Sequence, residues 1–416
     1  MKLAVIGGGS TYTPELVSGL SREQERLGLR ELVLHDIDAE RREVVGALAG
    51  RMLERQGFAG ALAVTGELDR ALDGADAVLV QIRVGGQAAR LRDETLPLAC
   101  GCVGQETTGA GGLAKALRTV PVVLDIARRA RELAADGAWI VDFTNPVGIV
   151  TRALLDDGHR AVGLCNVAIG FQREIARLLG VAPGRVAIDQ VGLNHLTWVR
   201  AVRLDGADVL PELLAEHAEA LAAHVDLPAA LLTELGVLPS YYLRYFYAES
   251  AVLERQRSGE QPRAARVAEI EAELLELYRD PRLDSKPALL EQRGGAFYSE
   301  AAIALVRSLV TGDGAVQVVD VRNDGALPGL AADDVVELPA RIERGGPVPL
   351  PQAPLAPELL GLVQHVSAYE RLAARAAAGG DRALARKALL AHPLIREWDR
   401  AEGLAERLLD PAGSTA

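Results

Sequence analysis

The sequence predicts an α/β protein made of two domains. Over the first 165 residues, short apolar runs of strand length alternate with longer helical patterns, which is typical of a doubly wound parallel sheet. Beyond residue 165 the pattern changes to long helices and paired strands, as in an α+β domain. A single core usually stops growing at about 250–300 residues, so a chain of 416 residues has room for both. We therefore expect domains over residues 1–165 and 166–416.

The first half contains the elements of a parallel sheet with helical crossovers. Strands are predicted over residues 1–7, 31–36, 75–82, 138–143 and 161–165. Helices are predicted over residues 12–19, where the first begins, and over residues 39–56 and 114–135. Connections between consecutive parallel strands are almost always right-handed, so these elements build a doubly wound sheet.

The second half mixes antiparallel strands with long helices. Strands are predicted over residues 186–191, 197–204, 317–321 and 335–338. Helices are predicted over residues 211–224, 263–279 and 299–310, with a helical tail from residue 356 onward. Residues 347–357 carry five prolines, which indicates an extended segment that crosses the domain.

Composition and charge exclude several classes of function. Lys and Arg number 45 against 57 Asp and Glu, and the net charge of −12 argues against a nucleic-acid-binding surface. The opening MKLAVIGGG is too short for a signal peptide, and no apolar run reaches membrane-spanning length. Three cysteines cannot form a disulfide framework and suit a reducing compartment. We expect a cytoplasmic protein that binds neither nucleic acid nor membranes.

A glycine-rich turn, Gly7-Gly8-Gly9-Ser10-Thr11, follows the first predicted strand and precedes a helix. Glycines there allow the backbone to approach a pyrophosphate closely, as in the Rossmann dinucleotide fold. Tyr12 replaces the third glycine of the usual motif, but Asp36 ends the second strand, where a carboxylate accepts from ribose hydroxyls and repels a 2′-phosphate. The pattern favours NAD over NADP. The alternative is a glycine-rich turn in a doubly wound protein that binds another ligand.

Cys165 and His195 are candidate ligands for a divalent metal. Thiolate and imidazole both bind transition metals, and two protein ligands leave positions for substrate oxygens. A single buried cysteine and a lone histidine are, however, more often packing residues, and their spacing matches no zinc motif. Cys100 and Cys102 lack further partners in the sequence and are interpreted as structural.

Four other polar segments have both a functional and a structural interpretation. Residues 103–112 form a glycine-rich loop that either approaches a ligand or simply connects two elements. Asn145 precedes Pro146 at the predicted carboxyl edge of the sheet, where ligands bind in such folds, but the pair also suits a turn. Residues 240–247 hold four of eight tyrosines, as an interface helix also would. Arg293, beside two glycines, suits a phosphate or a surface turn.

Taken together, these residues resemble the family 4 glycoside hydrolases, most closely their 6-phospho-β-glucosidase branch. The similarity extends over nearly the whole chain and depends on several motifs in order: QIRVGG, RDETLPL, GQETTGAGG, FTNPVG, GLCNVAIGFQREIA, GLNHLTW, YYLRYF, QRGGAFYS and ALLAHPL. The resemblance implies a lactate/malate dehydrogenase-like fold. It also implies that NAD and a divalent metal, typically manganese, act as cofactors, and that the chain forms a homodimer or homotetramer.

The resemblance assigns roles to individual residues. Cys165 and His195 would bind the metal together with the sugar's 2- and 3-hydroxyls. The residues that would hold NAD are Gly7, Gly9, Ser10, Thr11, Asp36, Gln105 and Glu106.

Further assignments concern the substrate. Arg90 would lie near the sugar phosphate, Asn145 would contact the sugar, and Arg293 would be a further anion contact. Asn166 would lie beside the sugar and is a catalytic candidate together with the tyrosine, because the phospho-α-glucosidases of the family carry a general acid Asp at this position. Asn in its place points to the β branch. The catalytic tyrosine corresponds best to Tyr242, with Tyr241 and Tyr245 as alternatives.

The reaction implied by the resemblance is an elimination and addition made possible by a temporary oxidation. NAD takes a hydride from C3 of the 6-phospho-β-glucoside, the tyrosine removes the proton from C2, and the metal stabilises the enediolate. The C1–O bond then breaks, water adds to C1, and NADH returns the hydride. This family is an exception to the two-carboxylate rule of glycoside hydrolysis. We expect the cation and the Cys165–His195 pair to lie directly over the nicotinamide ring.

Three other functions remain compatible with parts of the sequence. Residues 144–146 and the dinucleotide turn also resemble 2-hydroxyacid dehydrogenases, which would build up NADH and ignore metal. A non-catalytic NAD sensor would bind NAD without turning over sugar phosphates. Unphosphorylated galactosides or glucuronides are substrates of other branches of the family, and Asn166 disfavours them.

Overall fold

The N-terminal half is a parallel sheet covered by helices. The computed structural model describes residues 1–295 and 297–409. The first six strands lie in the order β3-β2-β1-β4-β5-β6, all parallel, as a doubly wound sheet requires. They are β1 (Lys2–Ile6), β2 (Glu31–His35), β3 (Ala61–Thr65), β4 (Ala77–Val80), β5 (Trp139–Asp142) and β6 (Ala161–Gly163).

The predicted strands of this half agree with the observed ones to within two residues at each end. The sequence does not predict β3, because it is an edge strand of which only Thr65 is buried, so its apolar signal is weak.

The helices of this half connect the parallel strands. They are α1 (Thr13–Arg22), α2 (Gln24–Leu27), α3 (Ala39–Arg55), α4 (Leu68–Leu72), α5 (Gly86–Thr95), α6 (Gly109–Leu133) and α7 (Val147–Asp156). After the last parallel strand, α8 (Val167–Leu179) leads into the C-terminal half. α6 begins five residues before its predicted start, because glycines of the predicted loop form its first turn. A Cβ on Gly111 would lie 2.2 Å from the Gln105 carbonyl oxygen, so only glycine permits this close packing.

The sheet continues without a break into the C-terminal half. β6 pairs antiparallel with β11, and β12 pairs with β7, so 13 strands of the described chain form one sheet. The added strands are β7 (Val186–Leu193), β8 (Leu196–Leu204), β9 (Ala207–Asp208), β10 (Leu238–Pro239), β11 (Val316–Arg322), β12 (Val335–Glu343) and β13 (Gly346–Pro349). β12 extends five residues past its predicted end. The sequence prediction stops before Pro339 because proline usually argues against a strand.

The C-terminal helices pack back onto the N-terminal half. α14 packs against α3 and α5, and α17 packs against α6 and α7. The predicted helix over residues 211–224 is in fact two helices, which meet at His217. The set is α9 (Leu210–Glu216), α10 (Ala218–Val225), α11 (Ala229–Leu235), α12 (Arg244–Tyr247), α13 (Glu249–Arg257), α14 (Arg263–Arg279), α15 (Leu290–Arg293), α16 (Tyr298–Thr311), α17 (Pro357–Gly379), α18 (Arg382–Ala391) and α19 (Trp398–Leu409).

Three short 3₁₀ turns, Leu96–Cys100, Pro183–Arg185 and Tyr241–Leu243, complete the described elements.

A continuous apolar core joins residues from both halves, from Leu3 in β1 to Leu404 in α19. Among the described residues, every helix is too short or too polar to cross a bilayer. The division at residue 165 falls between β6 and α8 and stays a prediction.

Candidate functional site

The glycine turn after β1 is built for close contact with β2 and β4. The backbone N–H groups of Gly7 and Gly8 both donate to the carbonyl oxygen of His35, at 2.9 and 2.7 Å. Gly7 has a φ of +91°, and a Cβ on it would lie 2.7 Å from the Gln81 carbonyl oxygen. A Cβ on Gly9 would lie 2.7 Å from Oδ2 of Asp36. The turn therefore has the bare backbone that a dinucleotide pyrophosphate needs.

Asp36 closes this turn from the end of β2. Its Oδ2 accepts from the backbone N–H of Gly9 at 2.8 Å, and its Oδ1 accepts from that of Asp38 at 3.0 Å. Each carboxylate oxygen keeps a second lone pair. The side chain is thus held at the position where ribose hydroxyls lie in dinucleotide-binding folds.

Arg293 belongs to the same turn. Its Nε donates to Oγ1 of Thr11 at 2.7 Å, and its guanidinium pairs with Glu271 at 3.0 Å. Arg41 pairs with the other oxygen of Glu271 at 3.4 Å. Burial alone would raise the pKa of Glu271, but Arg293 and Arg41 bring it below its usual value. Arg293 therefore lies with Ser10 and Thr11, the residues that the resemblance assigns to NAD. The role of Arg293 as a substrate contact stays a prediction.

A cavity of about 1640 Å³ runs from this turn across the carboxyl ends of the parallel strands. It brings together most of the residues singled out in the sequence: Gly7, Ser10, Asp36, Arg90, Gln105, Glu106, Asn145, Asn166, Tyr241, Tyr242, Tyr245 and Arg293. Gly9, Thr11, Cys165 and His195 are buried and do not belong to the lining.

Glu106 is the centre of a group of cations in the cavity wall. It contacts Arg83 at 2.5 Å and Arg90 at 3.1 Å, and it also pairs with Lys115. Burial raises the pKa of Glu106, but the three cations outweigh it and hold the carboxyl ionised. Burial lowers the pKa of Lys115 to about 8.

This group carries a net positive charge. Arg90 also pairs with Glu94 at 2.7 Å, so three cations face two carboxylates.

The sequence analysis does not single out Arg83 and Lys115 as site residues. Two features of the sequence could have indicated them. Arg83 lies in the QIRVGG motif, and Lys115 is a charged residue at a buried position of a helix.

His195 forms the turn between β7 and β8. It has a left-handed φ of 63°, which a non-glycine residue adopts only where its surroundings enforce it. Nδ1 lies 2.8 Å from Oγ1 of Thr107, and the ring stacks on Tyr242 with centroids 3.6 Å apart. Burial lowers the pKa of His195 to about 3, so the imidazole is neutral, which is the form that binds metals.

Cys165 follows β6 and lies near the same tyrosines. Burial raises the pKa of its thiol, and the Glu337 carboxylate raises it further. Burial raises the pKa values of Tyr241 and Tyr242, and a negative charge on the Cys165 sulfur raises them further, so this sulfur lies within electrostatic range of both phenols. A bound cation would instead lower the pKa of the Cys165 thiol, since metal coordination deprotonates a thiol.

The tyrosine cluster surrounds one central ring. Tyr242 stacks on His195, while Tyr241 and Tyr245 lie 4.5 and 6.5 Å from Tyr242, centroid to centroid. Burial, followed by the effect of Tyr241, raises the pKa of Tyr242 well above its usual value. Tyr298, which the sequence does not single out, also lines the cavity.

Asn145 and Asn166 lie at the carboxyl ends of β5 and β6. The peptide bond between Asn145 and Pro146 is cis, and the Asn145 Oδ1 atom is buried without a hydrogen-bond partner among the described residues. Asn166 is the N-cap residue of α8. A Cβ on Gly148 would lie 3.2 Å from Cβ of Asn194, so the segment after Asn145 packs against the turn that holds His195.

The donor set fits a nucleotide and a single cation. The glycine turn admits a pyrophosphate, and a thiol and a neutral imidazole suit a transition metal. Within residues 1–295 and 297–409, no group of three or more His, Cys, Asp or Glu side chains is placed to hold a metal. A cation at Cys165 and His195 would therefore need oxygen ligands from a substrate.

Four buried carboxylates lie close together beyond Cys165. They are Asp142 on β5, Asp320 on β11, Glu337 on β12 and Glu370 on α17. Glu337 accepts from Gln190 and from Asn194 at 2.5 and 2.8 Å. Burial raises the pKa of Glu337 to about 7 and that of Glu370 to about 8.

Comparisons with known proteins agree with this geometry. A model described as family 4 glycosyl hydrolase matches residues 2–181, and a model of that family's C-terminal domain matches residues 190–395. The chain is 39% identical to a probable 6-phospho-beta-glucosidase of Bacillus subtilis, over 99% of this chain and 96% of that relative.

Solved structures give the same result. The 6-phospho-beta glucosidase of Thermotoga maritima with NAD and glucose-6-phosphate is 36% identical, with 98% of each chain covered and a TM-score of 0.91. A second form of that enzyme holds manganese, NAD⁺ and glucose-6-phosphate. Malate dehydrogenase of Plasmodium falciparum, 13% identical over 91% of this chain and 98% of its own, has a TM-score of 0.55, which shows the fold alone.

These matches confirm the predicted resemblance and the predicted fold class, a Rossmann sheet followed by a C-terminal α+β domain. The chain belongs to family 4 of the glycosyl hydrolases.

Proposed function

We propose that this glycosidase hydrolyses 6-phospho-β-glucosides with NAD and a divalent cation, manganese by preference, as cofactors. The observation that carries the proposal is one cavity that joins the glycine turn, the cationic group around Glu106 and Tyr242. The 6-phospho-β-glucosidases among the relatives support the substrate class, and the neighbouring structures with NAD and manganese support the cofactors.

The cofactors supply chemistry that side chains lack. When bound, NAD accepts and returns a hydride, and a divalent cation stabilises the negative charge that develops on sugar oxygens. Asp36 would accept from the ribose hydroxyls, and the turn at Gly7 and Gly9 would admit the pyrophosphate. Cys165 and His195 would hold the cation.

The substrate would be oriented by charge at one end and amides at the other. A sugar phosphate is dianionic or nearly so, and Arg90 lies within a group that carries excess positive charge. The unpartnered Oδ1 of Asn145 would accept from a sugar hydroxyl, which would satisfy an otherwise orphaned acceptor. Asn166 would contact the sugar where the α-glucosidases of the family carry an acid.

Tyr242 would remove the proton from C2 of the sugar. Its phenol is buried and its pKa is raised, so a nearby positive charge is needed before it can act as a base near neutral pH. The stacking of Tyr242 on His195 supports that arrangement, because a cation bound at the imidazole lowers the pKa of a phenol beside it. Proton removal at C2 then allows the C1–O bond to break by elimination, and water adds afterwards.

The division of labour follows the predicted domains. Residues 1–165 would supply the nucleotide turn and Cys165, and residues 166–416 would supply Arg293, His195, Tyr242 and the surfaces of a homodimer or homotetramer.

A panel of nitrophenyl glycosides tests the proposal. The protein is stripped of nucleotide and metal by chelator and gel filtration, then assayed with and without NAD and Mn²⁺ on phosphorylated and plain glucosides. We expect nitrophenol release from the 6-phospho-β-glucoside only when both cofactors are present. Full activity of the stripped protein, or equal activity on the unphosphorylated glucoside, would contradict the proposal.

A further inference from the structure

Thr107 stands between His195 and Gln105 in a short chain of hydrogen bonds. Its Oγ1 lies 2.8 Å from Nδ1 of His195 and 2.8 Å from Oε1 of Gln105. The backbone N–H of Thr107 reaches the same Oε1 at 2.5 Å. Thr107 and His195 are buried, whereas Gln105 is half-buried and lines the cavity.

The direction of each hydrogen bond follows from the chemistry of the donors. The backbone N–H of Thr107 can only donate, so the amide atom of Gln105 that it meets is the oxygen. That oxygen carries no hydrogen, so the Thr107 hydroxyl must donate to it. A hydroxyl has one proton, and here it is already used. Towards His195 the Thr107 oxygen can therefore only accept, and Nδ1 must carry the proton.

We propose that Thr107, with its hydroxyl proton held by Gln105, is a positioning residue that keeps His195 protonated on Nδ1 and leaves the Nε2 lone pair free for the cation. The inference rests on the proposed function, since it names what prepares the imidazole for the metal. Outer hydrogen bonds commonly fix the tautomer and orientation of metal-binding histidines. The opposite tautomer would set two lone pairs against each other across a 2.8 Å contact.

The loop that carries Thr107 is anchored by tight packing and by hydrogen bonds. A Cβ on Gly112 would lie 2.7 Å from the carbonyl carbon of Thr107, so the first turn of α6 packs tightly behind the loop. The Gly109 N–H donates to Nε2 of His392 at 3.1 Å, and the Gly109 carbonyl accepts from the hydroxyl of Tyr369 at 3.0 Å. The loop is thereby anchored to the C-terminal helical region.

Variants of Thr107 distinguish the effect of its hydroxyl group from the effect of its side-chain shape. Thr107→Val keeps the shape and removes the hydroxyl, whereas Thr107→Ser keeps the hydroxyl. Thr108→Val is the matched control, because Thr108 is the buried neighbour and its side chain makes no capping hydrogen bond to α6. Thermal unfolding is measured for all three variants to check that each one folds.

The first readout is the tautomer of His195 in the metal-free full-length chain. Histidine ring nitrogens are labelled with ¹⁵N, and the signal of His195, one of seven histidines, is assigned with His195→Asn. We expect the Nδ1–H tautomer in the wild type, Thr107→Ser and Thr108→Val, and a shift towards Nε2–H in Thr107→Val. Gln105→Leu, which frees the hydroxyl proton, should shift the tautomer in the same direction. An Nε2–H wild type, or an unchanged tautomer in Thr107→Val, would overturn the proposal.

The second readout is the Kd for Mn²⁺, measured by electron paramagnetic resonance of the free ion. Loss of an outer hydrogen bond typically costs about 10–100-fold in metal affinity, and we expect a loss of that size in Thr107→Val but not in Thr107→Ser or Thr108→Val. Equal affinity of Thr107→Val and Thr107→Ser would overturn the proposal. A wild-type chain that bound no Mn²⁺ would contradict the proposed function instead, while the tautomer of the metal-free protein would still decide the role of Thr107.

Discussion

The ring of Tyr242 lies flat on the imidazole of His195, with centroids 3.6 Å apart and planes inclined by 11°. This contact links the candidate base directly to the candidate metal ligand. Tyr241 and Tyr245 surround Tyr242 rather than His195. A positive charge held by the imidazole would therefore act on the phenol of Tyr242 more strongly than on its neighbours.

Removing the hydroxyl of Tyr242 should abolish most of the activity. Positioned acid–base groups contribute about 10²–10⁴-fold to rates, and we expect Tyr242→Phe to lose kcat by that factor while NAD and Mn²⁺ still bind. Tyr241→Phe and Tyr245→Phe are the matched controls and should lose far less. Steady-state kinetics on the phosphorylated nitrophenyl glucoside decide between them. An active Tyr242→Phe beside an inactive control variant would move the role of base to the other tyrosine.

A methyl group at Gly9 should block the nucleotide. It would stand 2.7 Å from the Asp36 carboxylate, so Asp36 or the turn must move. We expect Gly9→Ala to raise the Kd for NAD at least about tenfold, which corresponds to about 1.4 kcal/mol, as measured by isothermal titration calorimetry. Gly361→Ala is the control, since Gly361 is exposed on α17 with open space around it. Equal NAD affinity of the two variants would remove the glycine turn from the nucleotide site.

Arg90 should govern affinity for the phosphate. A hydrogen bond to a charged group contributes about 1.5–3 kcal/mol, so Arg90→Gln should raise KM for the phosphorylated glucoside roughly 10–100-fold. Arg92→Gln changes the same kind of residue on the exposed face of α5 and should leave KM unchanged. Because Arg90 also pairs with Glu94 and Glu106, Tm is measured in parallel. A folded Arg90→Gln with wild-type KM would show that the phosphate binds elsewhere.

The buried Glu370 should make the fold less stable at alkaline pH. Burial raises its pKa from 4.5 to about 8, so the folded chain holds a proton that the unfolded chain loses. Stability therefore falls as the pH rises from about 4.5 through 8. Each pKa unit is worth about 1.4 kcal/mol.

Glu370→Gln removes this dependence without changing the shape of the side chain. We expect its Tm to match the wild type at pH 5 and to exceed it by about 2 °C or more at pH 9. Glu358→Gln, at an exposed position of the same helix, should follow the wild type at both values. Identical pH profiles for the three proteins would show that Glu370 is ionised in the folded state.

Local patterns in the sequence predict much of the fold. The sequence predicts the strands from β1 to β6 because their apolar runs are buried on both faces of the sheet. β3, at the exposed edge, is the exception. Pro339 weakens the strand pattern in the second half of β12, and the glycines at the start of α6 resemble a loop although they form a helical turn. In each case tertiary packing overrides a local preference.

The site is predicted less completely, because its residues meet only through the fold. The sequence singles out His195, Tyr242 and Asp36, and all three lie in or beside one cavity. It cannot show that Arg293 reaches Thr11, or that Thr107 meets His195, because those pairs are 282 and 88 residues apart. The roles of these residues, the oligomer and the cytoplasmic location stay predictions.

Hydrolysis in deuterium oxide tests the central claim most directly. If C2 loses its proton to Tyr242 before the C1–O bond breaks, the proton that returns comes from solvent. We expect the glucose-6-phosphate product to carry deuterium at C2, as detected by NMR and mass spectrometry, while no NADH accumulates. A product without deuterium at C2, or NADH formed in proportion to product, would contradict the account.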